Sequence, residues 1–139
     1  MLKWATGYLA ASIVFVGCDF GWLTLTGNIL YRPVLGPMLA DRPRLAPAIA
    51  FYLLYQLGVA VFAVAPAAAE RRPSRAAARG ALFGLVAYAT YDLTNQATLR
   101  NWSTRLTLAD MAWGAVVTGL SAFAGCAAAL AAGRKAGLA

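Results

Sequence analysis

Residues 107–132 read TLADMAWGAVVTGLSAFAGCAAALAA, and Asp110 is the one charged residue among them. A bilayer core takes about 20 helical residues, so this run predicts a membrane-spanning helix with an acid inside it. Three more apolar runs precede it, at residues 4–26, 48–65 and 80–99, the second barely long enough to cross. Two of these also carry an acid, Asp19 and Asp92. A carboxylate at the centre of a span costs roughly 2.5–3.5 kcal/mol on insertion scales, which makes each such acid a functional-site candidate.

Composition agrees with this reading. The chain of 139 residues is 61% hydrophobic and 12% charged, against about 25% charged in a soluble domain. The expected fold is all-α, a polytopic bundle of four transmembrane helices forming a single domain over residues 1–139. The first run follows Lys3 as a signal peptide would, but it is too long for an h-region, contains Asp19 and lacks a small-x-small cleavage site. The connections are marked by helix breakers and charge. Residues 28–47 hold Pro33, Pro37, Pro43 and Pro47 with three arginines, residues 66–79 hold Glu70 and four arginines, and residues 96–106 hold Arg100 and Arg105. Proline removes a backbone donor and clashes with the preceding turn, which predicts breaks there, with Pro47 tolerated in the first turn of the second span.

Four spans put both termini on one side. That face carries Lys3, Arg71, Arg72, Arg75, Arg79, Arg134 and Lys135, against Arg32, Arg42, Arg44, Arg100 and Arg105 on the other, and the excess places the termini in the cytoplasm. The net charge of +7 sits at helix ends, where it suits anionic headgroups, and forms no stripe for nucleic acid. With no histidine and only Cys18 and Cys126, no metal site and no cofactor is expected. The two cysteines belong toward opposite membrane faces, roughly 15–20 Å apart in depth, too far for a disulfide.

The polar groups of the spans converge on one level. Counted from the loop ends, Asp19 and Asp92 lie about seven residues and Asp110 about four inside the outer face, with Gln56 and Asn95 at similar depth. Asp19 and Trp22 form D-x-x-W, as do Asp110 and Trp113, while Asp92 and Asn95 form D-x-x-N with Tyr88 one turn before. Residues three or four apart share a helical face, so each acid presents an aromatic or amide partner beside it. Gly17 with Gly21, Gly80 with Gly84, and the line Gly114, Thr118, Ser121, Gly125 supply small faces for close packing, which should turn the acids inward. The candidate ligand or proton site is therefore Asp19, Trp22, Gln56, Tyr88, Asp92, Asn95, Asp110 and Trp113, with Arg32 and Arg100 at its mouth. With no lysine or arginine inside the spans, the acids must share protons, accept bonds from Tyr52, Tyr55, Tyr88, Tyr91, the tryptophans or the amides, or reach Arg32, Arg100 or Arg105. Simple helix cohesion competes with a functional use, because interhelical hydrogen bonds contribute about 0.6 kcal/mol on average. Serine, threonine or asparagine would supply that at lower desolvation cost.

The blocks DFGWL (19–23), FYLLY (51–55), GLVAYATYDLTN (84–95) and DMAWG (110–114) resemble the signature blocks of the DUF2177 family of small bacterial membrane proteins. The likeness runs from Trp4 to about Gly125, and the block around Asp92 is its most specific part. The resemblance implies a bacterial inner-membrane protein of undefined biochemistry, associated with membrane-lipid modification such as that of cyclopropane-fatty-acid-synthase-like enzymes.

Three functions fit these residues. The first is a module that binds a membrane lipid or small amphiphile, or assists a membrane-lipid-modifying enzyme. Aromatic walls from Phe51, Tyr52, Tyr55, Tyr88, Tyr91, Trp22 and Trp113 would hold the apolar part while acids and amides orient the head. The second is a proton-coupled transporter or permease subunit using the three acids as proton sites, which would need a homodimer to enclose a path. The third is an isomerase-type enzyme acting on lipid through one acidic and one basic carboxyl. The absence of a strong nucleophile, a histidine or a metal motif weighs against enzymatic chemistry of other kinds.

Overall fold

The computed structural model describes residues 1–135 and 137, and the Lys135 side chain, counted above for orientation, lies outside the described residues. Every regular element described is helical. Helix α1 (Leu2–Thr26) runs through a π-helical turn (Gly27–Tyr31) into the short α2 (Arg32–Leu35) and a 3-10 turn (Gly36–Met38). Helix α3 (Leu45–Val59) likewise passes through a π-turn (Ala60–Val64) into α4 (Ala65–Ala69). Helices α5 (Pro73–Thr98) and α6 (Thr104–Lys135) complete the chain.

Three of these continuous helical runs, Leu2–Met38, Leu45–Ala69 and Thr104–Arg134, are long and apolar enough to cross a membrane. Helix α5 has 26 residues, about 39 Å at 1.5 Å per residue, so its length also suffices. Its apolarity is diluted at both ends, by Arg75 and Arg79 near its start and by Asp92, Asn95 and Gln96 near its finish.

Two of the prolines that read as breaks are absorbed instead. Each π-turn ends two residues before a proline, Tyr31 before Pro33 and Val64 before Pro66. A proline ring collides with the carbonyl four residues back and leaves it without a donor. A π-turn adds a residue to the turn at that point, so the helix continues with its later residues rotated to a new face. Residues 27–35 therefore stay helical and fold Leu30 onto Trp102 and Leu106.

Helix α6 is the axis of the molecule, with α1 on one side and α5 on the other. Its N-terminus is capped by the Ser103 hydroxyl, which accepts the Leu106 N–H at 3.1 Å. Close approach on both sides depends on glycine. A Cβ on Gly7 of α1 would meet the Gly125 carbonyl oxygen at 2.9 Å, and one on Gly80 of α5 would meet the Thr118 carbonyl oxygen at 2.7 Å. A Cβ on Gly84 would fall on the Gly114 carbonyl. The α3–α4 rod covers the groove between, where Tyr55 and Thr118 hydroxyls lie 2.7 Å apart and Ser121 donates to the Ala11 carbonyl at 2.9 Å. Phe15, Tyr55, Val59, Val64, Val117 and Cys126 form the main core.

The Gly17–Gly21 pair does not pack as its spacing predicts. A Cβ added to either glycine would meet nothing within 4 Å. Gly17 stands two residues before Asp19, about 200° around the helix, so burying Asp19 turns Gly17 outward. The buried face of α1 is instead Gly7, Ala11, Phe15 and Asp19, spaced by four. Outward faces carry large apolar side chains such as Leu9, Ile13, Phe20, Leu54, Leu82 and Leu120, all more than half exposed.

Candidate functional site

The two D-x-x-W pairs meet and exchange partners. The rings of Trp22 and Trp113 stack at 4.6 Å with 5° between their planes. From that stack, Trp113 Nε1–H donates to Asp19 Oδ1 at 3.3 Å, so the indole of α6 serves the acid of α1. Trp22 Nε1–H donates at 2.8 Å to the Tyr31 hydroxyl, which in turn donates to Asp110 Oδ1. The indole of α1 thus serves the acid of α6 through one phenol. Tyr52 on α3 donates its hydroxyl to Asp19 Oδ2 at 2.9 Å, giving Asp19 a donor on each oxygen. Together these bonds hold both carboxyls in fixed positions.

Asp92 is arranged differently. It is fully buried, at 0% exposure, and neither of its oxygens receives a donor among the described residues. Its carboxyl instead lies near that of Asp110. A buried polar group without a partner costs about 1–3 kcal/mol, and such exceptions in a native structure call for a use.

Asp110 also faces a cavity. About 380 Å³ of space opens beside it, lined by Phe51 and Tyr55 from α3 and by Ala87, Tyr88 and Tyr91 from α5. This space exists because α5 packs against the π-turn at Ala60–Val64 and draws away from α3 before it, so the two rods splay toward Asp110. Aromatic rings bridge the gap, with Tyr55 5.5 Å from Phe83 and 6.4 Å from Tyr88 between ring centres. Phe51 and Tyr91 are exposed, one on each helix, so the cavity opens between α3 and α5.

Of the residues singled out in the sequence, Asp19, Trp22, Tyr88, Asp92, Asp110 and Trp113 come together here. Asn95 stands one turn beyond Asp92 on α5 and is half-buried. Gln56 lies deeper, where the Ser121 hydroxyl donates to its Oε1 at 3.4 Å and its amide nitrogen is buried without an acceptor among the described residues. Ser121 is eleven residues past Asp110, about 16 Å along α6. Arg32 and Arg100 do not stand at the cavity mouth. Both are exposed, and Arg100 lines a separate groove with Val34, Pro37 and Trp102. The π-turn is the reason for Arg32, because it turns Leu30 and Tyr31 inward and leaves the next residue outward. Among the described residues the ion pairs are those of Glu70 with Arg75 and Arg79, and none involves an acid of the site. Tyr31 is the site residue that the sequence does not disclose. Its one signal is Pro33, two residues on, which reads as a break rather than as the cause of a π-turn.

Long helices with outward apolar faces around an inward cluster of acids, indoles and phenols are the make-up of a membrane protein with a polar interior. The chain belongs to the DUF2177 family, described as predicted membrane protein, whose family model matches residues 4–127. No curated protein and no solved structure matches it.

Proposed function

We propose that the protein binds a membrane lipid or small amphiphile through the lateral cavity between α3 and α5, with Asp110 receiving the head group. The observation that carries this reading is the composition of the cavity wall: four aromatic rings and one alanine around a single carboxyl. Apolar walls with a few convergent polar groups are the usual make-up of small-molecule sites. The ligand's head must donate hydrogen bonds or carry positive charge, since the cavity presents a carboxyl and phenols and no basic side chain. Delivery of such a molecule to a membrane-lipid-modifying enzyme would follow from the same geometry.

In this reading α5 is a fourth span, both chain ends face the cytoplasm of a bacterial inner membrane, and the cavity opens to the outer leaflet. Supporting it, the Lys3 side chain lies 3.8 Å from the Cβ position of Gly133, which brings the start of α1 and the end of α6 to one end of the bundle. A second reading, proton coupling, is favoured by one feature, the unpartnered Asp92 beside Asp110.

Ala87→Leu narrows the cavity without removing any of its polar groups. Native mass spectrometry of protein gently released from membranes should show a defined adduct on the wild type and at least about a tenfold loss of it in Ala87→Leu, the equivalent of 1.4 kcal/mol in binding. Equal adducts on both proteins, or none on either, would rule the cavity out as the binding site.

A further inference from the structure

At the opposite end of the bundle from the acids, three cations converge on a second cavity. Lys3 at the start of α1, Arg71 after α4 and Arg134 at the end of α6 line about 210 Å³ of space, with Ala69 and Leu130 behind them. No acid lines it. Glu70, the acid adjacent in sequence, is taken by Arg75 at 2.8 Å and Arg79 at 3.0 Å. An apolar groove of about 140 Å³, walled by Trp4, Ala68, Ala129 and Leu130, adjoins the cations. The Lys3 ammonium sits 5.0 Å from the centre of the Trp4 ring, as expected for residues at a membrane interface.

Arg71 is held there against its backbone preference. Helix α4 ends with the Arg72 N–H on the Ala67 carbonyl at 3.0 Å and the Arg71 N–H on the Ala68 carbonyl at 3.1 Å. This is the Schellman arrangement, in which the residue with left-handed backbone is usually glycine. Here it is Arg71, at φ 55°. Any residue with a Cβ is disfavoured in that conformation, and strain of this kind persists where a side chain is needed at a ligand clamp.

We propose that Lys3, Arg71 and Arg134 bind the phosphate of an anionic phospholipid, with the first acyl carbons lying in the groove beside Trp4. Phosphate is the matching chemistry because the guanidinium forks of two arginines and one ammonium provide charge-assisted donors that no acid lining the cavity among the described residues neutralises. A lipid, rather than a free anion, accounts for the apolar groove against the cations. Basic pockets between spanning helices take anionic headgroups by the same physics. This site is independent of the outer cavity and of its ligand.

The test titrates the purified protein in micelles with phosphatidylglycerol, with phosphatidylcholine of the same chains, and with inorganic phosphate, reading bound lipid by native mass spectrometry. Wild type should retain phosphatidylglycerol over phosphatidylcholine by about a hundredfold if all three cations act, and Arg71→Gly should reduce that preference about fivefold. Because glycine relieves the left-handed backbone, Arg71→Gly should melt at the wild-type temperature or above in lipid-free micelles. Lys3→Gln/Arg134→Gln, which leaves the α4 turn intact, should lose more of the preference than Arg71→Gly. Equal retention of the two lipids, or unchanged preference in both variants, would overturn the site. Inorganic phosphate that displaces phosphatidylglycerol at equal concentration would overturn the lipid assignment.

Discussion

Gly84→Leu is expected to leave no folded protein, while Gly17→Leu behaves as wild type. A side chain at Gly84 would be driven into the Gly114 carbonyl and the Thr118 side chain, and α5 could remain on α6 only by moving away along its length. Overpacking costs about 1–3 kcal/mol where side chains can yield. Here the obstacle is partly backbone, and we expect a cost above that range. In a membrane, helices associate through close packing rather than through exclusion of water, so lost contact has little to replace it. Gly17 faces outward, where an added Cβ meets nothing within 4 Å, and a leucine there only adds apolar surface. Monodispersity in detergent and resistance to SDS unfolding would separate the two variants. A Gly84→Leu protein as resistant as wild type would refute the packing of α5 on α6.

The second large effect is a reversal of sign between two identical substitutions. Asp19→Asn should destabilise by about 1–3 kcal/mol, because both oxygens of Asp19 accept bonds, from Tyr52 and Trp113, and an amide keeps one acceptor for the indole while its nitrogen forces the Tyr52 hydroxyl to give up donating and accept instead. Asp92→Asn should stabilise by about 1 kcal/mol, because neither oxygen of Asp92 has a donor among the described residues and an amide could donate to Asp110 near it. Both changes keep the side chain's shape, so packing contributes little to either. SDS titration of the two variants against wild type measures the signs. Destabilisation by both would mean that Asp92 has a structural partner and is held for cohesion alone. Stabilisation by Asp92→Asn would mark Asp92 as a residue kept at a cost to the fold, which is the behaviour of a functional group.

Much of the site is legible in the sequence because acids in apolar spans are so costly that their positions carry information. Asp19, Asp92 and Asp110 stand out for that reason, and helical spacing adds Trp22, Trp113 and Tyr88 to them. What spacing cannot give is which helix each partner serves. Each D-x-x-W reads as an acid with its own indole, yet Trp113 bonds the acid of α1, and Trp22 reaches the acid of α6 through Tyr31. Gln56 shows the limit of counting depth from loop ends, since its helix begins at Leu45, before the apolar run from residue 48 on which the count rests. Gly17 and Gly21 show that a G-x-x-x-G fixes a small face but not the direction it points. The arginines of the connections at residues 28–47 and 96–106 look like partners for the acids in the sequence because the phenols that serve those acids come from elsewhere, Tyr31 by way of a π-turn and Tyr52 from a neighbouring helix.

The most direct measurement of the central claim is photolabelling in membranes. A long-chain alkylamine carrying a diazirine, whose head donates and is cationic, would be irradiated with the protein in native vesicles and the attached residues mapped by peptide mass spectrometry. Labels concentrated on Phe51, Tyr55, Tyr88 and Tyr91, and reduced in Ala87→Leu, are the result expected of a lateral cavity that takes an amphiphile toward Asp110. Labels spread evenly over outward apolar residues such as Leu54, Leu82 and Leu120, unchanged in Ala87→Leu, would contradict it.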